Sequence, residues 1–187
     1  YNKPSQKGVI AHYRAVADVA ARPIILYNVP SRTGSNMTAS TTLELAKHPN
    51  ILGIKEASGD LNQIGEILSR RPMDFDVWSG DDALGMPAIA LGADGLISVI
   101  GNLLPAMVSS MVHQAAFGQI HDARSTHSSL SSLVSLLFEE GNPAGVKAAM
   151  HHLNMCPPHV RLPLMEASRD LSERLYAAIA ALDVPTH

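Results

Sequence analysis

Four short apolar runs, IILYNV at 24–29, ILGIKEA at 51–57, DVWSG at 76–80 and DGLISVI at 94–100, are each separated by one segment with a helical pattern. Such alternation leaves few topologies open. A strand that returns to the same sheet through a helix does so by a right-handed crossover and lies parallel to the strand before it. The first run, Ile24 to Val29, is a short apolar stretch stopped by Pro30 and reads as a buried strand. The predicted class is therefore α/β, with four parallel strands.

The helical segments have readable ends. Val9, Ile10, Tyr13, Val16 and Val19 recur at helical spacing until Arg22-Pro23 stops the pattern. Pro30 and the polar turn SRTGSN end the first strand run. Thr38 or Ser40 caps a helix running to Lys47. Further helices are expected over 60–70 and 82–91. After Pro105 the strand signal disappears, and helices are expected over 105–117, 119–138, 143–153 and 168–182. Asn142-Pro143 suits the start of the third of these, with Asn as cap and Pro in the first turn.

A complete eight-stranded α/β barrel needs about 250 residues, and four strand units plus a helical tail already fill these 187. The expectation is the C-terminal half of a parallel (β/α)8 TIM barrel over residues 1–118, followed by a C-terminal helical region over 119–187. The leading helix has no strand before it and both sheet edges would be unpaired, so more of the barrel is expected ahead of Tyr1.

Composition narrows the function. With 46% hydrophobic and 17% charged residues the chain can bury a core, and a net charge of -3 gives no reason to attract nucleic acid or an anionic membrane. Small molecules are the expected partners. Cys156 is the only cysteine, so no intrachain disulfide forms, in keeping with a cytoplasmic location. The most apolar stretch, Met86 to His113, contains Asp94 and several glycines and cannot supply the roughly 18 apolar residues of a membrane span. No signal-peptide pattern is read at the start. The nine histidines form no recognisable cluster with carboxylate or thiolate ligands, so no metal is expected.

Chemistry points first to Lys55, which shares a strand face with Ile51, Gly53 and Ala57 by two-residue periodicity. Burying an ammonium among apolar neighbours disfavours its charged form, the condition for an amine to attack a carbonyl carbon. The other reading is a lysine at a strand end that reaches water or pairs with Glu56 or Asp60. Tyr27 lies near the end of the preceding strand, where side chains converge at the mouth of a parallel barrel, and its phenol could move protons to and from a substrate oxygen. An ordinary core tyrosine is the alternative. Arg32, in the loop that follows, could clamp a carboxylate with two parallel hydrogen bonds or simply be solvated. Gly92, Gly95 and Gly101 flank the fourth strand and suggest close backbone approach.

Taken together, YNKPSQ, ILYNVPSRTG, GIKEASGD, WSGDDA, GADGLISV, FEEGNPAGVK and VRLPL, in this order, resemble the dihydrodipicolinate synthase family of pyruvate-dependent class I aldolases. The resemblance implies that Lys55 forms a Schiff base with pyruvate, with no other cofactor. The enamine so formed attacks L-aspartate 4-semialdehyde, and attack by the substrate amine releases a cyclic product for lysine and diaminopimelate biosynthesis. It further implies that Tyr27 donates and accepts protons, that Arg32 orients a carboxylate, and that the backbone carbonyl of Ile97 lies beside pyruvate. Tyr1 would cross a dimer interface to complete the partner's proton relay, within a homo-oligomer built as a tetramer of two dimers. Sialic acid lyases and sugar-acid aldolases share the lysine and tyrosine but hold the acceptor differently, and SRTG favours the synthase. A reading of another class is a non-catalytic half-barrel.

Overall fold

In a computed structural model that describes residues 2–182, the chain divides into two compact units, residues 1–97 and 98–187. The first unit contains a four-stranded sheet in the order β1 (Ile24–Asn28), β2 (Ile51–Glu56), β3 (Asp76–Ser79) and β4 (Gly95–Leu96). Every neighbouring pair is parallel. The α/β class with parallel strands follows, as the alternating pattern requires.

The helices of this unit begin where the sequence supplies a side-chain acceptor for their exposed amides. Ser5 accepts from Gly8 N–H ahead of α1 (Gln6–Val19), which starts three residues before the apolar periodicity does. Pro30 opens a single turn, α2 (Pro30–Thr33), inside the segment expected to be a plain turn, and Gly34 ends it in the left-handed conformation at φ 67°. Thr38 rather than Ser40 caps α3 (Ala39–Leu45), and Asp60 caps α4 (Leu61–Arg70) by accepting from both Asn62 and Gln63 N–H. α5 (Gly85–Ala90) is shorter than the expected 82–91, because Asp81 turns the chain by accepting from Ala83 N–H before the helix can begin.

One face of the sheet forms the core of this unit. Leu26, Ile54 and Val77 are buried there, one on each of three adjacent strands, with Leu45, Ile64, Ile67 and Phe75 also buried in the unit. Gly85 lets α5 close on this face, since a Cβ there would meet Leu96 Cδ2 at 2.8 Å. At the N-terminal end of β3 the carboxylate of Asp94 accepts from Val77 N–H at 2.7 Å and pairs with Arg71, whose guanidinium also donates to Phe75 O. Burial would raise the Asp94 carboxyl, but the hydrogen bonds from Arg71 and Val77 outweigh it and hold the group below its ordinary value.

The fourth strand corrects the sequence expectation. Only Gly95–Leu96 pairs as strand, with Ile97 N–H still donating to Ser79 O at 2.9 Å, and a 3-10 turn at Ile100–Asn102 takes up the rest of the run expected over 94–100. Ile100 is buried in its own unit rather than extended in a sheet. A short apolar run has no periodicity that separates the two outcomes.

The second unit holds α6 (Pro105–Ala116), α7 (Ile120–Glu139), α8 (Ala144–His152) and α9 (Arg169–Ala180), with α7 packed against the other three. The expected boundary near residue 118 falls after α6, which the compact units group with the later helices. Asn142 does not cap α8: Pro143 occupies the cap position without a side-chain hydrogen bond. Backbone bonds from Gly145 N–H to Gly141 O and from Lys147 N–H to Pro143 O close that turn instead. Among the described residues no helix is long and apolar enough to cross a membrane.

Candidate active site at the ends of the first two strands

Register brings the two leading residues together. Tyr27 on β1 is the partner of Lys55 on β2, and Lys55 is in turn the partner of Trp78 on β3. Because side chains alternate along a strand, these three project from the face opposite Leu26, Ile54 and Val77. The Lys55 Nζ lies 4.5 Å from the centroid of the Tyr27 ring, within cation–π reach. Tyr27 keeps 43% of its surface exposed and is not an ordinary core tyrosine.

Lys55 is half-buried rather than sealed among apolar side chains. Neither acidic neighbour holds it: Glu56 points to the opposite face and Asp60 caps α4. The lysine stem runs instead against Gly80, where a Cβ would meet Lys55 Cε at 2.8 Å, Lys55 Cγ at 3.0 Å and Ala57 Cβ at 2.9 Å. Gly80 is thus a site residue that sequence reasoning missed. The signal for it was a glycine at the end of a strand, in WSGDDA, where it could mark either a turn or a close approach.

Two more glycines leave room for the indole. A Cβ on Gly53 would meet Trp78 Cζ3 at 2.7 Å, and one on Gly95 would meet Trp78 Cδ1 at 3.3 Å. Trp78 therefore lies across the face between β2 and β4. Close approach at Gly95 was expected, whereas at Gly92 no atom lies within 4 Å of a Cβ and the residue serves its backbone conformation, φ 109°.

Arg32 sits on α2 with its side chain exposed, and no described residue pairs with its guanidinium. Ile97 is 40% exposed, two residues beyond Gly95 on the strand path and so on the same face as Trp78. Tyr1 lies outside the described residues. A cavity of about 510 Å³ opens beside β1, lined by His12 and Tyr13 of α1 and by Tyr27, Asn28, Val29 and Met37. Among the described residues no group of three or more His, Cys, Asp or Glu side chains could hold a metal ion. The assembled groups are an amine, a phenol beside it and an open apolar surface, which suits carbonyl chemistry.

The chain is 46% identical over 185 residues to the 4-hydroxy-tetrahydrodipicolinate synthase of Phocaeicola vulgatus, covering 98% of this chain and 62% of that protein. It is 49% identical over 166 residues to the synthase of Syntrophotalea carbinolica, covering 89% of this chain and 57% of that one. Among solved structures, the dihydrodipicolinate synthase of Aquifex aeolicus superposes with a TM-score of 0.95 at 40% identity, over 100% of this chain and 64% of its own. The chloride-inhibited enzyme of Acinetobacter baumannii, solved with pyruvate, gives 0.93 at 37% identity over 96% of this chain and 62% of its own. The chain thus spans less than two thirds of the length of these relatives. A family model for dihydrodipicolinate synthetases matches residues 1–182, nearly the whole of it. On this agreement of sequence and fold, the chain belongs to the dihydrodipicolinate synthetase family.

Proposed function

We propose that these residues form the C-terminal part of a 4-hydroxy-tetrahydrodipicolinate synthase, a lyase-type aldolase in which Lys55 is the Schiff-base amine. The observation that carries this reading is the register pair Tyr27 and Lys55, with the amine 4.5 Å from the phenol ring centroid on an exposed sheet face of a member of this family. In the reaction, the Lys55 amine adds to the carbonyl carbon of pyruvate and the oxygen leaves as water, giving an iminium. Loss of a methyl proton gives an enamine whose carbon attacks the aldehyde of L-aspartate 4-semialdehyde. The substrate's own amine then displaces Lys55 and closes the ring, returning the lysine free.

Tyr27 is the proton carrier for loss of water and for return of the proton to the new alkoxide. Arg32, exposed with no described partner, orients a carboxylate. Ile97 offers its backbone carbonyl toward pyruvate, and Tyr1 serves the proton relay of a neighbouring subunit. The product feeds lysine and diaminopimelate biosynthesis in the cytoplasm, and the working assembly is a homotetramer of full (β/α)8 barrels. Residues 1–187 alone are expected to be inactive, because the face that carries Lys55 is open to water there and an aldolase must exclude it.

The test is borohydride reduction in the presence of pyruvate on the longest polypeptide encoded around these residues, followed by peptide mapping. The adduct is expected on Lys55; an adduct on another lysine, or none, sinks the reading. Comparing aspartate semialdehyde with sugar aldehydes as acceptors separates the synthase from sialic acid and sugar-acid aldolases.

A further inference from the structure

Glu56 is 1% exposed, has no cationic partner among the described residues and takes no part in the reaction above. Its two oxygens each accept from Asn28 Nδ2 at 3.0 Å, one also accepts from Ser58 N–H at 2.7 Å, and the other from Gln63 Nε2 at 3.0 Å. Asn28 is itself 2% exposed, and its Oδ1 accepts from Met37 N–H at 2.9 Å. Asn36 bridges the far side, accepting from Asn28 Nδ2 at 2.8 Å and donating to Gln63 Oε1 at 2.9 Å. A buried carboxyl group held only by neutral donors is a demanding arrangement, since loss of a donor leaves a buried oxygen short of hydrogen bonds.

Its placement gives it a task. Asn28 and Glu56 are register partners, one step beyond the partners Tyr27 and Lys55. By alternation the carboxylate and amide grip one face of the sheet while the amine and phenol occupy the other. The opposite end of the same strand pair is irregular, with the register shifting between Ile24 and Ile25, so the Asn28–Glu56 contact lies at the regular end, next to the amine and the phenol. Backbone bonds extend the grip: Ala57 N–H donates to Asn28 O at 2.8 Å and Gly80 N–H to Glu56 O at 2.7 Å, and Gly80 is the surface on which the Lys55 stem rests.

We propose that the Asn28–Glu56 pair is a positioning clamp that sets where the Lys55 amine sits relative to the Tyr27 phenol, without touching substrate. This rests on the reading of Lys55 as the Schiff-base amine. The experiment compares the wild type, Glu56→Gln, Asn28→Ser and the double variant in the longest encoded polypeptide, below the melting temperature of each. Two rates are read: borohydride trapping of pyruvate on Lys55, and acetylation of Lys55 relative to the surface lysines Lys7 and Lys47.

Each single variant is expected to slow trapping by about tenfold and to change the Lys55 acetylation ratio by about threefold or more, as a displaced reacting group does. The double variant is expected to lose little beyond either single one, since both break one unit. A lower melting temperature with both rates unchanged overturns the clamp, as a merely structural network behaves that way. Should wild-type Lys55 take no pyruvate, the aldolase reading fails by itself, and the acetylation ratio still decides the clamp. Should Asn28→Ser not fold, Glu56→Gln, which keeps the side-chain shape, carries the decision.

Discussion

On one face of the sheet Leu26, Ile54 and Val77 are each 0% exposed, whereas on the other Ile25 and Tyr27 keep 50% and 43% of their surface. The strands are the same, so the contrast lies in what each face must do. The closed face buries branched apolar side chains and a fully hydrogen-bonded carboxylate, Glu56, and supplies rigidity. The open face carries an amine, a phenol, an indole and the glycines that make room for them. Close packing on one side leaves the other free to carry a half-buried lysine.

Four measurements can break or sharpen this contrast. The largest effect is expected from Lys55→Ala in the longest encoded polypeptide, which removes the proposed nucleophile: turnover should fall by at least about a thousandfold and the trapped pyruvate adduct should vanish, with melting nearly unchanged. Retained turnover would mean that the open face is not the reacting one. Ile54→Ala, one residue away on the closed face, should do the reverse, costing about 2–5 kcal/mol of stability by chemical denaturation while the trapping rate of the folded protein stays the same.

An intermediate outcome is expected at Gly80. Its →Ala substitution puts a methyl group where the Lys55 stem runs and against Ala57 Cβ at 2.9 Å, so trapping should slow by about ten- to a hundredfold and stability should fall by about 1–3 kcal/mol. An unchanged rate would show that the lysine moves aside freely. The smallest effect is expected at the end of the sheet remote from Lys55. Asp94→Asn should cost about 1 kcal/mol near neutral pH, since the Arg71 pair is partly exposed. The Asp94 carboxyl titrates below its ordinary value of 3.8 in the fold, so the stability it adds is complete above that pH and is lost as pH falls through the folded value. Melting curves of wild type and variant should therefore differ at pH 7, and the difference should shrink as pH falls below 3.8; a difference that stays constant in acid would rule out the charge as its source.

Much of the fold was legible because its signals are local. Thr38 caps the helix it precedes, and the runs containing Leu26, Ile54 and Val77 became adjacent parallel strands. The misses share a cause. The run at 94–100 pairs for only two residues, because an apolar stretch says that it is buried without saying against what. Asn142 looked like a cap but the backbone of Gly141 and Pro143 closes that turn. For the candidate site, Lys55 and Tyr27 stood out as polar groups at apolar strand ends. Gly80 did not, since only the neighbouring strand shows why a side chain is forbidden there.

The sequence by itself determined the alternation of strands and helices and the family, because each depends on residue type and spacing along the chain. Tertiary structure decided that Tyr27 stands opposite Lys55, that Glu56 turns away from its lysine neighbour into Asn28 and Gln63, and that Trp78 lies over Gly53. Those outcomes depend on the register between strands, and register is fixed by side chains distant in sequence packing on the two faces at once.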